Sequence, residues 1–388
     1  MQCTVKKASF SADLYRSIMK LPVESTLEVS GAVVRDTRAP GGCELQVRGL
    51  KILHQASEDW PIAKKYHGPE FLLDRRHLWV RNENMRAVLR LRARFLELCR
   101  EWFKKQGYTE VQVPVLITAA VEGGASLFEV NYYSKKAYLT QSWQLYAEAL
   151  VPSLGKIFTI APAFRAEKSR TRRHLTEFWQ LEAEIPWCSL EDIMSVQEDL
   201  LSFTLSGLAR DSVDELGRIG RKAGELKEAM PPFPRITYDD ALKMLLEKKV
   251  SIEWGADLGH IQEKALSQEF DKPFFVTHYP KAAKAFYHKI DPSRASVTLS
   301  ADLLAPKGYG EITGGGVRID DLASLIHRLK ENGLKLEDYE WYADLRKYGS
   351  FPHGGFGLGV ERVLAWICGL KHIRDAIAFP RLINRVYP

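Results

Sequence analysis

The first part of the chain alternates between apolar and polar residues, a two-residue period that predicts β-strands. The alternating apolar residues are Leu27, Val29, Val33, Leu45 and Val47. We therefore interpret residues 1–55 as a β domain. Residues 56–83 are charged and irregular and are interpreted as a linker, which leaves residues 84–388 as a second, larger domain.

Beyond the linker, the apolar spacing changes to three and four residues, which predicts a helix from Asn84 to about Gly107. Two long helical stretches are predicted at 190–230 and 238–270. Strand-like runs separate these stretches and cover residues 137–142, 156–167, 176–185, 310–319 and 354–360. This order is neither βαβ alternation nor all-β, so it favours an α+β fold with an antiparallel sheet.

A proline interrupts the strand that is predicted after the first long helix. Val111, Val113 and Val115 alternate there, and Pro114 lies between the last two. Proline has no amide hydrogen to donate to a strand ladder. We therefore expect this strand at a sheet edge or at a subunit interface.

Composition and charge exclude several classes of protein. Of 388 residues, 45% are hydrophobic and 27% are charged, which excludes disordered, collagen-like and coiled-coil proteins. No apolar run approaches the roughly 18 residues that span a bilayer, and the polar start lacks a signal-peptide core. Five cysteines without CxxC spacing disfavour a disulfide framework and a zinc site. We expect a soluble, cytoplasmic protein, whose net charge of +6 is compatible with a polyanionic partner.

The most informative stretch, residues 164–184, has the pattern of a hairpin. One face of its second half is apolar, and the other face carries Phe178, Gln180, Glu182 and Glu184. The loop before that half is cationic and contains Lys168, Arg170, Arg172, Arg173 and His174. Acids on the strands and cations at the tip suit a nucleoside triphosphate beside an amino acid. An exposed hairpin with balanced charge is the alternative.

Two further segments suggest binding chemistry. Between Gly354 and Arg362, glycines at alternate strand positions leave one face bare, so that a flat ring can lie against the backbone. Neither GxGxxG nor GxxxxGK[ST] occurs, which excludes Rossmann-type and P-loop phosphate binding. Asp302 and Glu311 flank a Gly/Pro turn and could hold Mg²⁺, which takes one or two protein carboxylates; a pair of surface acids is the alternative.

Together these segments resemble the three motifs of class II aminoacyl-tRNA synthetases. Pro114 lies where motif 1 has its proline, residues 164–184 resemble motif 2, and residues 354–362 with the tail at 372–381 resemble motif 3. Within the aspartate, asparagine and lysine subgroup, the asparaginyl branch is the most similar. The segments that carry this finer likeness are 121–124, 139–146 and 348–350. The resemblance implies a catalytic domain built on an antiparallel sheet flanked by helices.

The resemblance also implies an activity. It implies ATP-dependent activation of asparagine to asparaginyl-adenylate, transfer to tRNA(Asn), Mg²⁺ as the metal, and a homodimer with no membrane partner. Residues 1–55 resemble part of the OB barrel that reads the anticodon in this family. Since Met1 falls at the third strand of that barrel, we expect an incomplete barrel and weakened or lost tRNA binding. An ammonia-dependent asparagine synthetase that activates aspartate and a non-catalytic regulator are the alternatives.

By resemblance, Arg165 and Arg362 are the catalytic candidates, and Arg165 would bridge the substrate carboxylate and the α-phosphate of ATP. The ATP-binding candidates are Arg165, Glu167, Arg173, His174, Phe178, Glu311, Gly359 and Arg362. Phe178 and Arg362 would sandwich the adenine. Glu167 would accept a hydrogen bond from the adenine amine, and Arg173 and His174 would contact the γ-phosphate. The metal candidates are Asp302 and Glu311, and the amino-acid candidates are Glu122, Gln144, Glu182 and Arg318.

The preference between asparagine and aspartate rests on few positions. Aspartyl enzymes place a lysine where this chain has Ala147, whereas Glu182 can accept from an amide and would repel a second carboxylate. We therefore predict asparagine, with Arg318 donating to its side-chain oxygen. Two departures from the family pattern lie nearby. Trp143 replaces a small residue or proline and either narrows the pocket or packs away from it, and Gly316 replaces a serine.

Overall fold

The computed structural model describes residues 1–121, 127–168 and 171–388, and its chain divides into two units, Met1–Leu72 and Leu73–Pro388. The elements of the first unit are β1 (Gln2–Val5), α1 (Ala12–Met19), β2 (Thr26–Arg35) and β3 (Cys43–His54). β3 pairs in parallel with β1 and antiparallel with β2. Residues 12–19 correct the prediction of β structure, since they form a helix whose first turn is capped by the Ser11 hydroxyl.

The second unit is built on one large sheet. Within the described ranges, it has eight strands in the order β10-β11-β14-β15-β16-β9-β8-β4. The strands of this unit are β4 (Thr109–Glu110), β5 (Leu116–Ile117), β6 (Glu129–Tyr132), β7 (Lys135–Leu139), β8 (Ile157–Phe164), β9 (Glu177–Pro186), β10 (Arg235–Thr237), β11 (Phe274–Thr277), β12 (Ile290–Asp291), β13 (Arg294–Thr298), β14 (Ser300–Ala305), β15 (Gly310–Val317) and β16 (His353–Gly359). All neighbours from β11 to β8 run antiparallel, which confirms the α+β prediction.

Helices separate these strands along the chain. They are α2 (Pro69–Asp74), which crosses the boundary between the two units, α3 (Arg76–Trp79), α4 (Glu83–Lys105), α5 (Gln144–Leu154), α6 (Leu190–Asp211), α7 (Val213–Arg218), α8 (Ala223–Glu228), α9 (Tyr238–Glu247), α10 (His260–Ser267), α11 (Leu322–Glu331), α12 (Glu340–Lys347) and α13 (Val360–Ile367). α4 matches its prediction, and Leu91, Phe95 and Leu98 on its buried face pack into the main core. None of the described helices is long and apolar enough to cross a membrane.

Two predictions of secondary structure need correction. Residues 111–115 form no strand, because Pro114 cannot donate to a ladder; only β4 and β5 on either side are strands, and β4 lies at the sheet edge as expected. The stretches at 190–230 and 238–270 are broken into shorter helices. The first stretch is broken at Ser212. In the second stretch, α9 ends at Glu247, and Lys249 just beyond it takes a positive φ of 59°. The predicted linker at 56–83 contains α2 and α3.

Candidate active site

The floor of the candidate site is formed by three neighbouring strands, β9, β16 and β15. Glu182 pairs with Gly357 and Glu184 pairs with Gly355, so carboxylates and bare glycine backbone alternate on one face of the sheet. A Cβ at Gly355 would overlap the Glu184 carboxylate, which explains why this position requires glycine. On the opposite face, side chains such as Leu181 pack into the core. The two-residue period of the strands therefore places the floor of the site on one face of the sheet and the core on the other.

This floor opens into a cavity of about 380 Å³. The predicted residues that line the cavity are Gln144, Arg165, Glu182, Asp302, Glu311 and Arg318. Candidates for amino-acid, nucleotide and metal binding thus meet in one place. Lining residues without a predicted role are Gln180, Glu184, Asp257, Tyr279, Lys284 and His288.

One end of the cavity is shaped by the start of α5. The Glu182 carboxylate accepts hydrogen bonds from the Ser142 hydroxyl and from the Trp143 amide, the latter at 3.2 Å. The Trp143 side chain is 2% exposed and packs with Ala147 and Val151 in a small core. Trp143 thus belongs both to the cavity wall and to this small core, in which Ala147 also lies.

Arg318 and Glu184 form a buried ion pair next to Glu182. The Arg318 guanidinium donates to both Glu184 oxygens, at 2.9 and 3.0 Å, and the Tyr287 ring lies 5.3 Å from its central carbon. Although burial opposes the charge of Arg318, the Glu184 carboxylate raises its pKa. Arg318 is thus held in place before any ligand binds.

A second buried network supports this pair. Glu148 accepts from Gln144 at 3.1 Å, from the Tyr342 hydroxyl at 2.8 Å, from His353 at 2.9 Å and from Arg346. Burial alone would raise the pKa of Glu148, but Arg346 and His353 hold it well below its usual range.

Three side chains of this network are spaced like the ligands of a metal ion. Donor atoms of Glu148, Glu184 and His353 lie within 4.8 Å of one another. However, Glu148 already forms an ion pair with Arg346, and Glu184 already forms one with Arg318. A metal ion there would have to displace guanidinium groups, so we do not assign a metal centre to this cluster.

Two carboxylates converge at the other end of the cavity. A Cβ at Gly314 would lie 3.2 Å from Asp302 Oδ1 and 3.4 Å from Glu311 Oε1, so both groups point over bare backbone. Asp302 Oδ2 accepts from Lys284 at 2.6 Å, whereas Oδ1 is buried without a partner among the described residues. Burial raises the pKa of Asp302 to about 7, with the charge of Lys284 opposing the rise and those of Glu311 and Asp257 adding to it. This donor set fits a divalent cation.

Cationic side chains border the carboxylates. Arg362 donates to Glu311 Oε2 at 2.8 Å, and Arg173 donates to the Glu311 carbonyl at 2.8 Å and pairs with Glu263. Arg173 and Arg362 line a neighbouring cavity of about 510 Å³. Burial, together with Arg362, Arg173 and Arg165, lowers the pKa of His174 to about 4. The ring at position 174 is therefore neutral among strong cations.

The remaining predicted residues lie around this centre. Phe178 stacks 5.5 Å from the guanidinium carbon of Arg165, and Gly359 backs against the Arg362 side chain. Glu167 is exposed. In the described part of the chain, Glu167, His174, Phe178 and Gly359 line neither of these two cavities. Glu122 lies outside the described residues.

Comparisons with known proteins agree with this geometry. A family model described as tRNA synthetases class II (D, K and N) matches residues 68–383. The asparagine–tRNA ligase of Pyrococcus abyssi is 49% identical over 390 residues, which cover 100% of this chain and 90% of that protein. The corresponding ligase of Pelotomaculum thermopropionicum is 47% identical over 388 residues, with the same coverage of 100% and 90%.

A solved structure gives the same result. The crystal structure of asparaginyl-tRNA synthetase from Pyrococcus horikoshii complexed with asparaginyl-adenylate matches with a TM-score of 0.96 and 48% sequence identity. The match covers 100% of this chain and 89% of that one. The resemblance predicted from the motifs is thus confirmed, and the chain belongs to the class II tRNA synthetases of the D, K and N group.

Proposed function

We propose that this protein activates asparagine with ATP, forming asparaginyl-adenylate and pyrophosphate, and then transfers the asparaginyl group to tRNA(Asn). The observation that carries the proposal is the cavity in which Glu182 and Arg318 lie together with Arg165. A carboxylate only accepts hydrogen bonds and a guanidinium only donates them, so Glu182 and Arg318 complement the two ends of a side-chain amide. The names of the full-length relatives support the same substrate.

The chemistry needs no nucleophile from the protein. An oxygen of the substrate carboxylate attacks the α-phosphorus of ATP, and the bond to the β-phosphate breaks to release pyrophosphate. Arg165 would bridge the carboxylate and the α-phosphate and stabilise the charge that develops between them. Gln144, at the start of α5, is proposed to bind the α-ammonium group together with Glu122. Catalysis then consists of positioning and charge stabilisation.

The remaining candidates would hold the nucleotide. We assign Phe178 and Arg362 to the adenine faces and Glu167 to its amine, with Gly359 giving access to the ring. Arg173 and His174 would meet the γ-phosphate. The positions of Arg362, Arg173 and His174 around Glu311, described above, support the assignment of these three residues.

Asp302 and Glu311 are the residues that would hold Mg²⁺. The unpartnered, buried Oδ1 of Asp302 and the convergence of both carboxylates over Gly314 fit such an ion. When bound, Mg²⁺ would neutralise charge on the phosphates. Independently of the ion, Lys284 fixes the other oxygen of Asp302 and so orients its carboxylate.

The assembly is also a proposal. We propose a cytoplasmic homodimer whose interface includes α4 and the segment around Pro114, supported by the position of β4 at the sheet edge. We further propose residues 1–55 as an anticodon-binding-like domain, residues 56–83 as a linker and residues 84–388 as the catalytic domain. Size-exclusion chromatography with light scattering tests the dimer.

The test of function is ATP–pyrophosphate exchange with asparagine and aspartate measured side by side. We expect exchange with asparagine and little with aspartate, because Glu182 repels a second carboxylate. Glu182→Gln should erode this preference, whereas Glu129→Gln, at an exposed position, should not change it. Unchanged selectivity in Glu182→Gln would contradict the assignment of Glu182.

A second assay separates the alternative functions. Incubation with ATP, aspartate and ammonia would release free asparagine only from an asparagine synthetase. Absence of amino-acid-dependent exchange would instead favour a non-catalytic regulator. Charging of tRNA(Asn) with labelled asparagine is the expected positive result.

A further inference from the structure

One histidine of the cavity wall has no function in the scheme above. His288 is 6% exposed and lines the cavity, and its ring makes no hydrogen bond to any residue in the described ranges. Its Nδ1 atom is fully enclosed. Nε2 is not enclosed in this way and is not bonded by a described residue, so it is the ring atom that a ligand in the cavity can reach.

Gly316 provides the space that this ring occupies. A Cβ at position 316 would lie 2.6 Å from His288 Nδ1 and 2.6 Å from the Leu299 carbonyl oxygen. A side chain at 316 therefore cannot coexist with the ring in its present place. Glycine at position 316 leaves this volume free, and the His288 imidazole fills it.

The backbone places the ring beside Arg318. His288 and Arg318 form an isolated antiparallel bridge, and Gly314, Gly316 and Arg318 follow one another at alternate positions along β15 and beyond it. The imidazole thus lies between the paired carboxylates near Gly314 and the guanidinium of Arg318. This is the side-chain end of the proposed amino-acid site.

The surroundings keep the ring neutral. Burial, together with the charges of Arg318, Lys284 and Arg328, lowers the pKa of His288, while the Glu148 carboxylate opposes the shift. A neutral imidazole has one donor and one acceptor. With Nε2 as the acceptor, the ring would bind an amide N–H, which a carboxylate side chain does not offer.

We propose that His288, whose ring fills the space beside Gly316, is a specificity-determining residue that hydrogen-bonds the side-chain amide of the bound amino acid next to Arg318. The proposal rests on the proposed function and extends it to a residue pair that the motifs do not assign. It makes recognition of the amide depend on three groups: Glu182, Arg318 and His288.

The test compares two substitutions of the same residue. His288→Met fills a similar volume without a matching hydrogen-bonding group, and His288→Gln keeps a donor and an acceptor. For His288→Met we expect the KM for asparagine in ATP–pyrophosphate exchange to rise roughly threefold to tenfold, as for one lost neutral hydrogen bond. The KM for ATP should stay the same, and the preference for asparagine over aspartate should fall. His288→Gln should recover most of both.

A control and a spectroscopic readout keep the test decisive. His327→Gln changes an exposed histidine and should leave all these constants unchanged. In ¹⁵N-labelled wild-type protein, the imidazole resonance that is missing in His288→Gln should shift when asparagine is added. This measurement needs no His288→Met protein, so it applies even where that variant fails to fold.

Several outcomes would overturn the proposal. They are an unchanged KM and unchanged selectivity in a folded His288→Met, equal losses in His288→Met and His288→Gln, or an imidazole resonance that asparagine does not move. In all three cases the wild-type protein would still show exchange with asparagine, so the proposed function would stand. Failure of the proposed function itself would instead appear as absence of asparagine-dependent exchange in the wild-type protein.

Discussion

The two ends of the cavity bury charge in different ways. At the amino-acid end, carboxylates and guanidinium groups are matched: Glu184 holds Arg318 through two hydrogen bonds, and Glu148 holds Arg346. At the phosphate end, Asp302 is bonded through one oxygen only, and Glu311 and Asp257 add like charge nearby. In the first arrangement each of these carboxylates already has a guanidinium partner, whereas the second leaves a carboxylate oxygen of Asp302 for a ligand.

The pKa shifts of Glu148 and Asp302 follow this contrast. Those of Glu184 and Glu311 do not: burial raises the pKa of Glu184 although Arg318 opposes the rise, and Arg362 lowers the pKa of Glu311 to about 2 against the effect of burial. Against the effect of burial, Arg346 and His353 hold the pKa of Glu148 below its usual range. Burial and neighbouring carboxylates instead raise the pKa of Asp302 to about 7, although Lys284 opposes them. A matched network fixes the geometry that selects the amino acid, and an unmatched cluster gains most when a cation or a donor binds.

The largest expected effect comes from breaking the matched network. Glu148→Gln should lower the free energy of unfolding by about 3–5 kcal/mol, because it leaves the guanidinium of Arg346 buried without an anion. Urea denaturation followed by tryptophan fluorescence measures the change. Glu129→Gln, which removes an exposed partner of Lys136, is the matched control and should cost less than about 1 kcal/mol. Equal losses in the two variants would refute the contrast.

At the phosphate end of the cavity, we expect a substitution to reduce catalysis and to have little effect on stability. Asp302→Asn should reduce the exchange rate about 10²–10³-fold, as expected for a lost group that stabilises transition-state charge. With its pKa raised above the unfolded value, the Asp302 carboxylate costs stability as pH rises, so a neutral amide offsets the loss of the Lys284 ion pair. The free energy of unfolding should therefore change by less than about 1 kcal/mol.

Exchange assays and denaturation of the same preparation test both parts of this prediction. Glu269→Gln removes an exposed partner of Lys248 and should leave exchange unaffected. Full activity in Asp302→Asn would exclude Asp302 from the metal site. A loss of stability as large as that of Glu148→Gln would show that the phosphate end is as tightly matched as the amino-acid end.

Features set by local sequence patterns could be predicted. The hairpin of β8 and β9 and its two faces could be predicted because burial follows the local two-residue period, as Leu181 and Glu182 show. The short helix at 12–19 was missed because its cap at Ser11 is a single side-chain contact within a region of alternating residues.

Partners across the fold could not be predicted. Arg318 and Glu184 are 134 residues apart in sequence and meet only because β9 and β15 border the same strand, β16. The role of Glu184 had a signal, since it shares a strand face with Glu182. Lys284 and His288 had none, because they belong to no motif and reach the cavity only through the packing of distant segments.

The smallest expected effect is a pH dependence of stability that comes from His353 in the matched network. Burial opposes the charge of His353, but its hydrogen bond to Glu148 raises its pKa. The stability from this pair is therefore fully present below the unfolded value of about 6.5 and is lost as pH rises through the folded pKa. Urea denaturation from pH 6 to 9 should show the wild-type protein losing part of its advantage over His353→Gln. A constant difference, or one that grows with pH, would mean that His353 is held neutral and that Arg346 alone balances Glu148.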